Sequence, residues 1–365
     1  MENTKHNGII SFWKFMFTLL IIIGHVTPRI TNILGINLPL TNTFRASSIG
    51  VEFFFIVSGY LMTKNAMKIK INNNSELGKF TFNYIWKKVK HFFPYMIISY
   101  IIAIIINVSI FKYPKYVIVN TIWDILFLRM SGINYNFNML GVAWYISAML
   151  ICMIILYPLI IKHKENFIFI IAPINVIFIG GFIAHTYGNI ADPSIWSGLM
   201  YKSLLRAFFE LSLGSIAYSL SQKIHSLSFT DLGKFTITFV ELFGYLSIFF
   251  LVNLLDAHNK YDFIMIFILF ISISISFSEK SLFQQFCNNK CFYYLESFSL
   301  SLYLNQIWVM ELFLIILKSL NIININYYIV CLCILIIIII ISIITNYIVE
   351  IIKKNYPKLK SFFIV

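Results

Sequence analysis

Apolar stretches close to 20 residues long recur from one end of this chain to the other. Ten can be delimited, at residues 9–28, 47–66, 92–111, 142–161, 167–186, 199–220, 235–254, 261–278, 295–317 and 327–352. About 20 apolar residues in an α-helix cross the core of a bilayer. Only 12% of the residues are charged, about half the share of soluble proteins. The sequence therefore predicts an all-α, polytopic membrane protein with about ten transmembrane helices, in one domain covering residues 1–365.

The distribution of lysines predicts how these helices are oriented. Seven lie from the end of the second apolar stretch to the start of the third, namely Lys64, Lys68, Lys70, Lys79, Lys87, Lys88 and Lys90. Short cytoplasmic loops are enriched in Lys and Arg, so we place this segment and both chain termini in the cytoplasm. If a shorter apolar piece, 116–130, also crossed the membrane, the later lysine-rich loops would lie outside. We therefore expect residues 112–141 to form an outer loop that dips into the membrane.

The charge and the cysteines exclude two other classes of function. A net charge of +13 is expected for a protein whose lysines anchor cytoplasmic loops to the membrane surface. We expect no nucleic-acid partner, because no basic amphipathic helix lies apart from the apolar stretches. Cys287 and Cys291 have no second cysteine pair or histidine nearby, so we expect no metal site.

Two ionisable residues share one face of the first predicted helix. Lys14 and His25 are eleven residues apart, which is about three helical turns and roughly 16 Å along the axis. Ionisable groups inside membrane helices usually face a cavity or a partner. The imidazole of His25 is suited to general-base catalysis near neutral pH. Lys14 lies nearer the cytoplasm, where it can bind a phosphate or extend to the lipid headgroups.

The second apolar stretch contributes a carboxylate and a small-residue pair. Glu52 lies at about the predicted depth of His25, so it can orient the imidazole as the acid of a catalytic triad does. An ion pair with Arg45 or Arg29 is the alternative. The pair Ser58-Gly59 allows either a close approach of two helices or the passage of a thin ligand arm.

Several motifs, in chain order, resemble the acyltransferase-three family of integral-membrane acyltransferases. They are the Lys14-to-His25 spacing, the "FFxxSGxL"-like stretch 52–61, the basic run 87–95, the Trp segment 144–146 with 157–158, the Arg206, Glu210 and Gly214 face, and residues 299–304. The resemblance covers about residues 9–352. Two places depart from the family. Asn305 and Gln306 stand where a histidine is common, and residues 147–149 where a glutamate is often found.

The resemblance implies transfer of an acyl group, usually acetyl, from cytoplasmic acetyl-CoA. The acceptor would be a sugar hydroxyl on a cell-surface polysaccharide or its lipid-linked precursor, at the plasma membrane. We expect the site residues to be His25 and Glu52 for catalysis, Lys14, Ser58, Gly59, Lys87, Lys88 and Arg206 for the coenzyme, and Arg45, Trp144 and Tyr303 for the acceptor.

Two of these assignments have equally simple alternatives. Arg206 can contact a phosphate or an oxyanion, or it can pair with Glu210 four residues along the same helix. Trp144 can stack on a sugar, although anchoring at the membrane interface is the commoner role of tryptophan in such a position.

Other membrane functions fit the sequence less well. A transporter or flippase of a lipid-linked glycan would have Lys14 and His25 along its pathway. Transporters of this kind usually show internal repeats and broken helices in matching positions, which this sequence lacks. A sensor or scaffold protein would leave the pair of Lys14 and His25 on one helix face unexplained. A membrane glycosyltransferase would usually have acidic residues in its first outer loop, and the segment 29–46 contains none. The sequence therefore favours a glycan O-acyltransferase.

Overall fold

The computed structural model describes residues 7–34, 44–71, 73–106, 115–133, 141–255, 258–322 and 326–355. These residues form α-helices joined by short turns, and no β-strand occurs among them. In chain order the helices are α1 Gly8–Leu34, α2 Ile49–Lys68, α3 Asn74–Ile106, α4 Lys115–Ile125, α5 Trp144–His163, α6 Ala172–Tyr187, α7 Lys202–Ser226, α8 Asp231–Leu254, α9 Asp262–Ser278, α10 Phe283–Cys287, α11 Lys290–Ser319 and α12 Tyr327–Asn355. The predicted all-α class is confirmed.

Each of the ten predicted spans coincides with a helix, although two of these helices are unusual. Eight helices in the described part of the chain are long and apolar enough to cross a membrane. The ninth, α9, is apolar but has only 17 residues. The tenth, α7, is less apolar because Lys202, Arg206 and Glu210 lie on it, and all three are buried. The protein is therefore a polytopic membrane protein in which α7 turns its charged residues towards other helices.

The third helix begins much earlier than predicted. The apolar stretch 92–111 predicts only its second half, whereas α3 starts at Asn74 and ends at Ile106. Lysine and glutamate are good helix formers, and the first proline of α3 is Pro94. A search for apolar runs detects only the part of such a helix that enters the membrane. The basic run 87–91 consequently lies on a helix and not in a loop.

The ambiguous segment near residue 120 folds as a short helix. The eleven residues of α4 extend roughly 16 Å, about half the thickness of the bilayer core. Ser147 of α5 fixes the end of this segment, because its hydroxyl donates to the Phe127 carbonyl at 2.8 Å and accepts from the Met130 N–H at 3.0 Å. Burial raises the pKa of Asp124 to about 6, and the ion pair with Arg129 opposes this rise only in part. The eleven residues of α4 are too few to cross the bilayer core, which supports the predicted outer loop.

Helices α1 and α11 lie side by side and run in the same direction. Lys14 pairs with Glu296 near one end, and Arg29 pairs with Glu311 at 3.6 Å near the other. The two pairs are fifteen residues apart on both helices, roughly 22 Å along the axes. Arg29 therefore has an acidic partner other than Glu52.

Helices α2 and α7 approach each other at two glycines. A Cβ atom on Gly59 would overlap the backbone of Leu211, and one on Gly214 would overlap the Ile56 carbonyl. Small residues allow membrane helices to pack backbone against backbone. The structure thus places Gly59 in a helix–helix contact, and the contact brings the charged face of α7 against α2.

Two contacts place lysine-rich segments of the chain beside one another. Lys164, between α5 and α6, donates to the Ala66 carbonyl at 2.9 Å at the end of α2, where a cation is favoured by the helix dipole. Lys353 near the end of α12 lies 5.5 Å from the Tyr95 ring of α3. These contacts agree with the predicted orientation, in which the same segments are cytoplasmic.

Candidate active site

A cavity of about 140 Å³ lies among helices α1, α2, α3, α5 and α11. Four of the residues predicted for the site line it, namely Lys14, Ser58, Lys88 and Tyr303. Tyr145 lines it as well, and its hydroxyl lies 3.3 Å from the Ser58 hydroxyl. The helix packing therefore brings residues that are almost 300 positions apart in the sequence around one space.

A second cavity, of about 290 Å³, adjoins the first. The linings share Lys14, Leu61 and Glu296. Lys64 and Lys68 contribute to the second cavity only, so lysines from α1, α2 and α3 surround the combined space. Four lysines against Glu279 and Glu296 leave a surplus of positive charge at this concave surface, which attracts anions.

The ammonium group of Lys14 points into the bundle and donates to Glu296 of α11. The other oxygen of Glu296 lies 3.4 Å from the hydroxyl of Ser11. This placement favours a role for Lys14 inside the bundle over the alternative in which it extends to the headgroups. Glu296 is not among the residues predicted for the site. It is a carboxylate at the first turn of the apolar stretch 295–317, and the rarity of such residues in membrane helices is the signal that would have found it.

His25 lies on the same continuous helix as Lys14, so the predicted spacing of about three turns is retained. The imidazole is half-buried and does not line either cavity. The preceding residue, Gly24, packs directly against the side chain of Ser47. His25 is therefore level with the turn that leads into α2.

Glu52 is completely buried and its carboxylate accepts a hydrogen bond from Arg206 of α7. The structure records no contact between Glu52 and His25 among the described residues, so the predicted catalytic pairing has no support in the geometry. The guanidinium of Arg206 also lies 4.9 Å from the centre of the Trp144 ring, a distance typical of a cation–π contact.

Arg206 is remote from the cationic end of the cavity. Its partner Glu52 lies nine residues before Leu61 on α2, roughly 13 Å along the helix, and Leu61 is beside Lys14. Arg206 therefore lies apart from the lysines of the cavity, and its predicted contact with the coenzyme stays a prediction. The alternative pair with Glu210 does not form either, since both Glu210 oxygens lack a hydrogen-bond partner in the described part of the chain.

Comparison with protein families decides the class of the protein. A family model described as an acyltransferase domain matches residues 7–346. The chain belongs to the acyltransferase-three family. Comparison with curated proteins and with solved structures gave no match. The protein is thus a multi-pass membrane acyltransferase, which moves an acyl group from a donor to a hydroxyl acceptor.

The other predicted residues of the acyltransferase lie outside the cavity. Lys87 is exposed on α3, and Gly59 is occupied by the contact with α7. Trp144 borders the buried Arg206. Arg45 begins a 3-10 turn, Arg45–Ser48, and its side chain is outside the part of the chain that the structure describes. No cluster of three His, Cys, Asp or Glu side chains that could hold a metal occurs among the described residues.

The two family departures have structural roles in this acyltransferase. Asn305 accepts a hydrogen bond from Ser99 at 2.9 Å and donates to Thr345 at 3.0 Å, which links α11 to α3 and α12. Ser147 holds the outer segment, as described above. Neither residue lines the cavity.

Proposed function

We propose that this membrane acyltransferase moves an acyl group, most simply acetyl, from cytoplasmic acyl-CoA to a sugar hydroxyl. The acceptor would be a cell-surface polysaccharide or its lipid-linked precursor, and the enzyme would work in the plasma membrane. The observation that supports this most strongly is the position of Lys14 where two cavities meet, with Lys64, Lys68 and Lys88 around it.

The proposed binding of acyl-CoA depends on the charge of its phosphates. Coenzyme A carries several phosphate charges, and ammonium groups bind phosphate as compact cations. The lysine-rich cavities lie on the predicted cytoplasmic side, where acyl-CoA is found. Lys14 would exchange the carboxylate of Glu296 for a phosphate oxygen, so its positive charge would stay paired throughout.

The acyl end of the donor would extend along α1 towards His25. The distance from Lys14 to His25 is roughly 16 Å, comparable to the length of the pantetheine arm. Ser58, Tyr145 and Tyr303 line the part of the cavity through which the arm would pass. Their hydroxyl groups offer hydrogen-bond partners to the amides of such an arm.

The chemistry assigned to His25 is proton transfer. The imidazole would take the proton of the acceptor hydroxyl while the oxygen attacks the thioester carbonyl. The carbon–sulfur bond then breaks, and the thiolate takes up a proton as it leaves. General-base catalysis of this kind contributes about 10²- to 10⁴-fold to a rate.

The experiment that tests this proposal follows the acetyl group. The purified protein in lipid nanodiscs would receive acetyl-CoA labelled in the acetyl group together with surface glycan from cells that lack the protein. We expect label in the glycan as an alkali-labile ester, and mass spectrometry should show added acetyl groups only when the protein is present. Glycan that remains unlabelled, with intact acetyl-CoA, would contradict the proposed donor and acceptor.

A further inference from the structure

Three side chains from distant parts of the sequence meet near the turn that precedes α2. The hydroxyl oxygen of Ser48 lies 2.7 Å from Nε2 of His258. Nδ1 of the same imidazole lies 3.1 Å from Oδ2 of Asp262. A nucleophile, a base and an acid that orients the base are thus joined in the order found in serine hydrolases.

The hydrogen bonds determine which nitrogen of His258 carries the proton. A carboxylate can only accept, so Nδ1 donates to Asp262. In a neutral imidazole this leaves Nε2 without a proton, free to accept the proton of the Ser48 hydroxyl. His258 is therefore held in the tautomer that a general base needs.

The carboxylate of Asp262 is completely buried, whereas Ser48 is half-buried. Oδ2 of Asp262 also accepts from the Ile190 N–H at 3.1 Å. The side chain of His258 is 10% exposed. Burial thus decreases from Asp262 towards Ser48.

The same contacts also connect the segments before α2, α7 and α9, so a purely structural role must be weighed. Oδ1 of Asp262 has no hydrogen-bond partner among the described residues, but the same is true of Oε2 of Glu52 in the enclosed ion pair with Arg206. The unpaired oxygen therefore does not separate a catalytic role from a structural one. A structural connector would show the same hydrogen bonds and the same tautomer, so the two roles differ in whether the Ser48 hydroxyl is reactive, and the experiments below measure that reactivity.

These residues form a site apart from the cavity around Lys14. Ser48 lies six residues before Phe54, the cavity-lining residue of α2 nearest to it, which is roughly 9 Å along the helix. Six residues also turn the helix by about 240°, so Ser48 and Phe54 lie on different faces. Ser48 therefore does not line that cavity, and it lies beyond it along α2, in the turn that is level with His25.

We propose that Ser48, His258 and Asp262 form a second catalytic centre, a serine-esterase site for acyl esters of alcohols or sugars at the predicted outer end of the bundle. The Ser48 hydroxyl gives its proton to Nε2 of His258 and attacks the ester carbonyl. The alcohol leaves with that proton, and the acyl group stays on Ser48. Water then gives a proton to His258 and attacks the new ester, and the acid departs as the Ser48 oxygen recovers the proton.

The first test uses a fluorophosphonate, a reagent that labels activated serines. The full protein in nanodiscs would be treated with it and digested, and mass spectrometry would locate the modified residue. We expect Ser48 to be modified. A wild-type protein without label, or with label only on another residue, overturns the proposal. The reagent needs no acyl-CoA, so this result is independent of the proposed transferase function.

Variants separate chemistry from structure in the same assay. We expect Ser48→Ala to remove labelling and His258→Ala to slow it by about 10²-fold or more, with partial recovery when imidazole is added. Asp262→Asn should slow it as well. The matched controls are Ser47→Ala, His185→Ala and Asp231→Asn, which should label like the wild type. Labelling of Ser48 that is equally fast in His258→Ala shows an unactivated serine and overturns the proposal.

A second measurement follows turnover on a simple ester. p-Nitrophenyl acetate should give a burst of p-nitrophenol close to one equivalent, because the acyl-Ser48 ester forms before water hydrolyses it. Ser48→Ala should lack the burst, and Ser47→Ala should retain it. A burst that persists in Ser48→Ala contradicts the assignment.

Discussion

Two groups of charged side chains lie inside the same helix bundle, one half-buried beside a cavity and the other fully buried between helices. Near the predicted cytoplasmic end, Lys14 and Lys88 line a cavity of about 140 Å³. Further along α2, Glu52 and Arg206 are 0% and 1% exposed, and neither lines the cavities described above. The first group is accessible to a ligand, whereas the second is enclosed by helices.

This difference indicates what each group can do. A lysine beside a cavity can change from one anionic partner to another when a ligand enters. A guanidinium and a carboxylate enclosed by protein cannot separate without leaving a buried charge unpaired, which costs about 3–5 kcal/mol. We therefore assign ligand binding to the region around Lys14 and helix packing to the region around Arg206.

The largest expected effect is on kcat for acyl transfer, and it comes from substitution of His25, which lies further along α1 than the cavity around Lys14. Removing a general base lowers a rate by about 10²- to 10⁴-fold, so we expect His25→Ala to reduce kcat for acyl transfer by that factor with little change in KM for acyl-CoA. The matched control is His185→Ala, on the exposed side of α6. A kcat like that of the wild type would end the assignment of His25 as the base.

Substitution in the enclosed pair of Glu52 and Arg206 should lower the stability of the protein. Glu52→Gln leaves the Arg206 charge unpaired, so we expect the free energy of unfolding to fall by about 3–5 kcal/mol, seen as a lower midpoint of thermal unfolding in detergent. The double variant Glu52→Gln with Arg206→Met should recover part of this loss, and the exposed Glu165→Gln is the control. If Glu52→Gln kept its stability and lost kcat, Glu52 would belong to the catalytic machinery after all.

A smaller loss of stability is expected when the close contact of α2 and α7 is disturbed. Gly59→Ala adds a methyl group that collides with the Leu211 backbone, and overpacking of this kind costs about 1–3 kcal/mol. Gly181→Ala, on α6, meets no atom within 4 Å and should be neutral or slightly stabilising, since alanine is the better helix former. Equal unfolding midpoints for the two variants would show that α2 and α7 are further apart than described.

The smallest effect should come from Glu296, which neutralises Lys14 beside the cavity. Glu296→Gln removes the competing carboxylate, so we expect KM for acyl-CoA to fall by about 2- to 10-fold, corresponding to at most 1.4 kcal/mol. Glu311→Gln, at the other ion pair between α1 and α11, is the matched control. A rise in KM for Glu296→Gln would show that Glu296 instead holds Lys14 in its binding position.

The sequence predicted the helices well because long apolar runs are a local property. The prediction missed the first half of α3, because residues 74–91 form a helix without being an apolar run. Lys14, Ser58 and Lys88, predicted to bind the coenzyme, and Tyr303, predicted to bind the acceptor, line one cavity, and their roles stay predictions. Those four lie in motifs that mark the same family, so their shared location followed from the resemblance.

The partners of the buried charges could not be predicted in the same way. Helical spacing offers Arg206 only neighbours on its own helix, such as Glu210, whereas its partner Glu52 is 154 residues away. That partnership depends on the contact of α2 with α7. The junction of Ser48 with His258 likewise joins residues 210 positions apart, and no spacing rule connects them.

The most direct test of the account is the affinity of coenzyme A for Lys14→Ala. Titration calorimetry in nanodiscs would compare the wild type, Lys14→Ala and the exposed control Lys318→Ala. Hydrogen bonds to charged groups contribute about 1.5–3 kcal/mol, so we predict that Kd for coenzyme A rises about 10- to 100-fold in Lys14→Ala alone. An unchanged Kd in that variant would contradict the assignment of the cavity around Lys14 to the acyl donor.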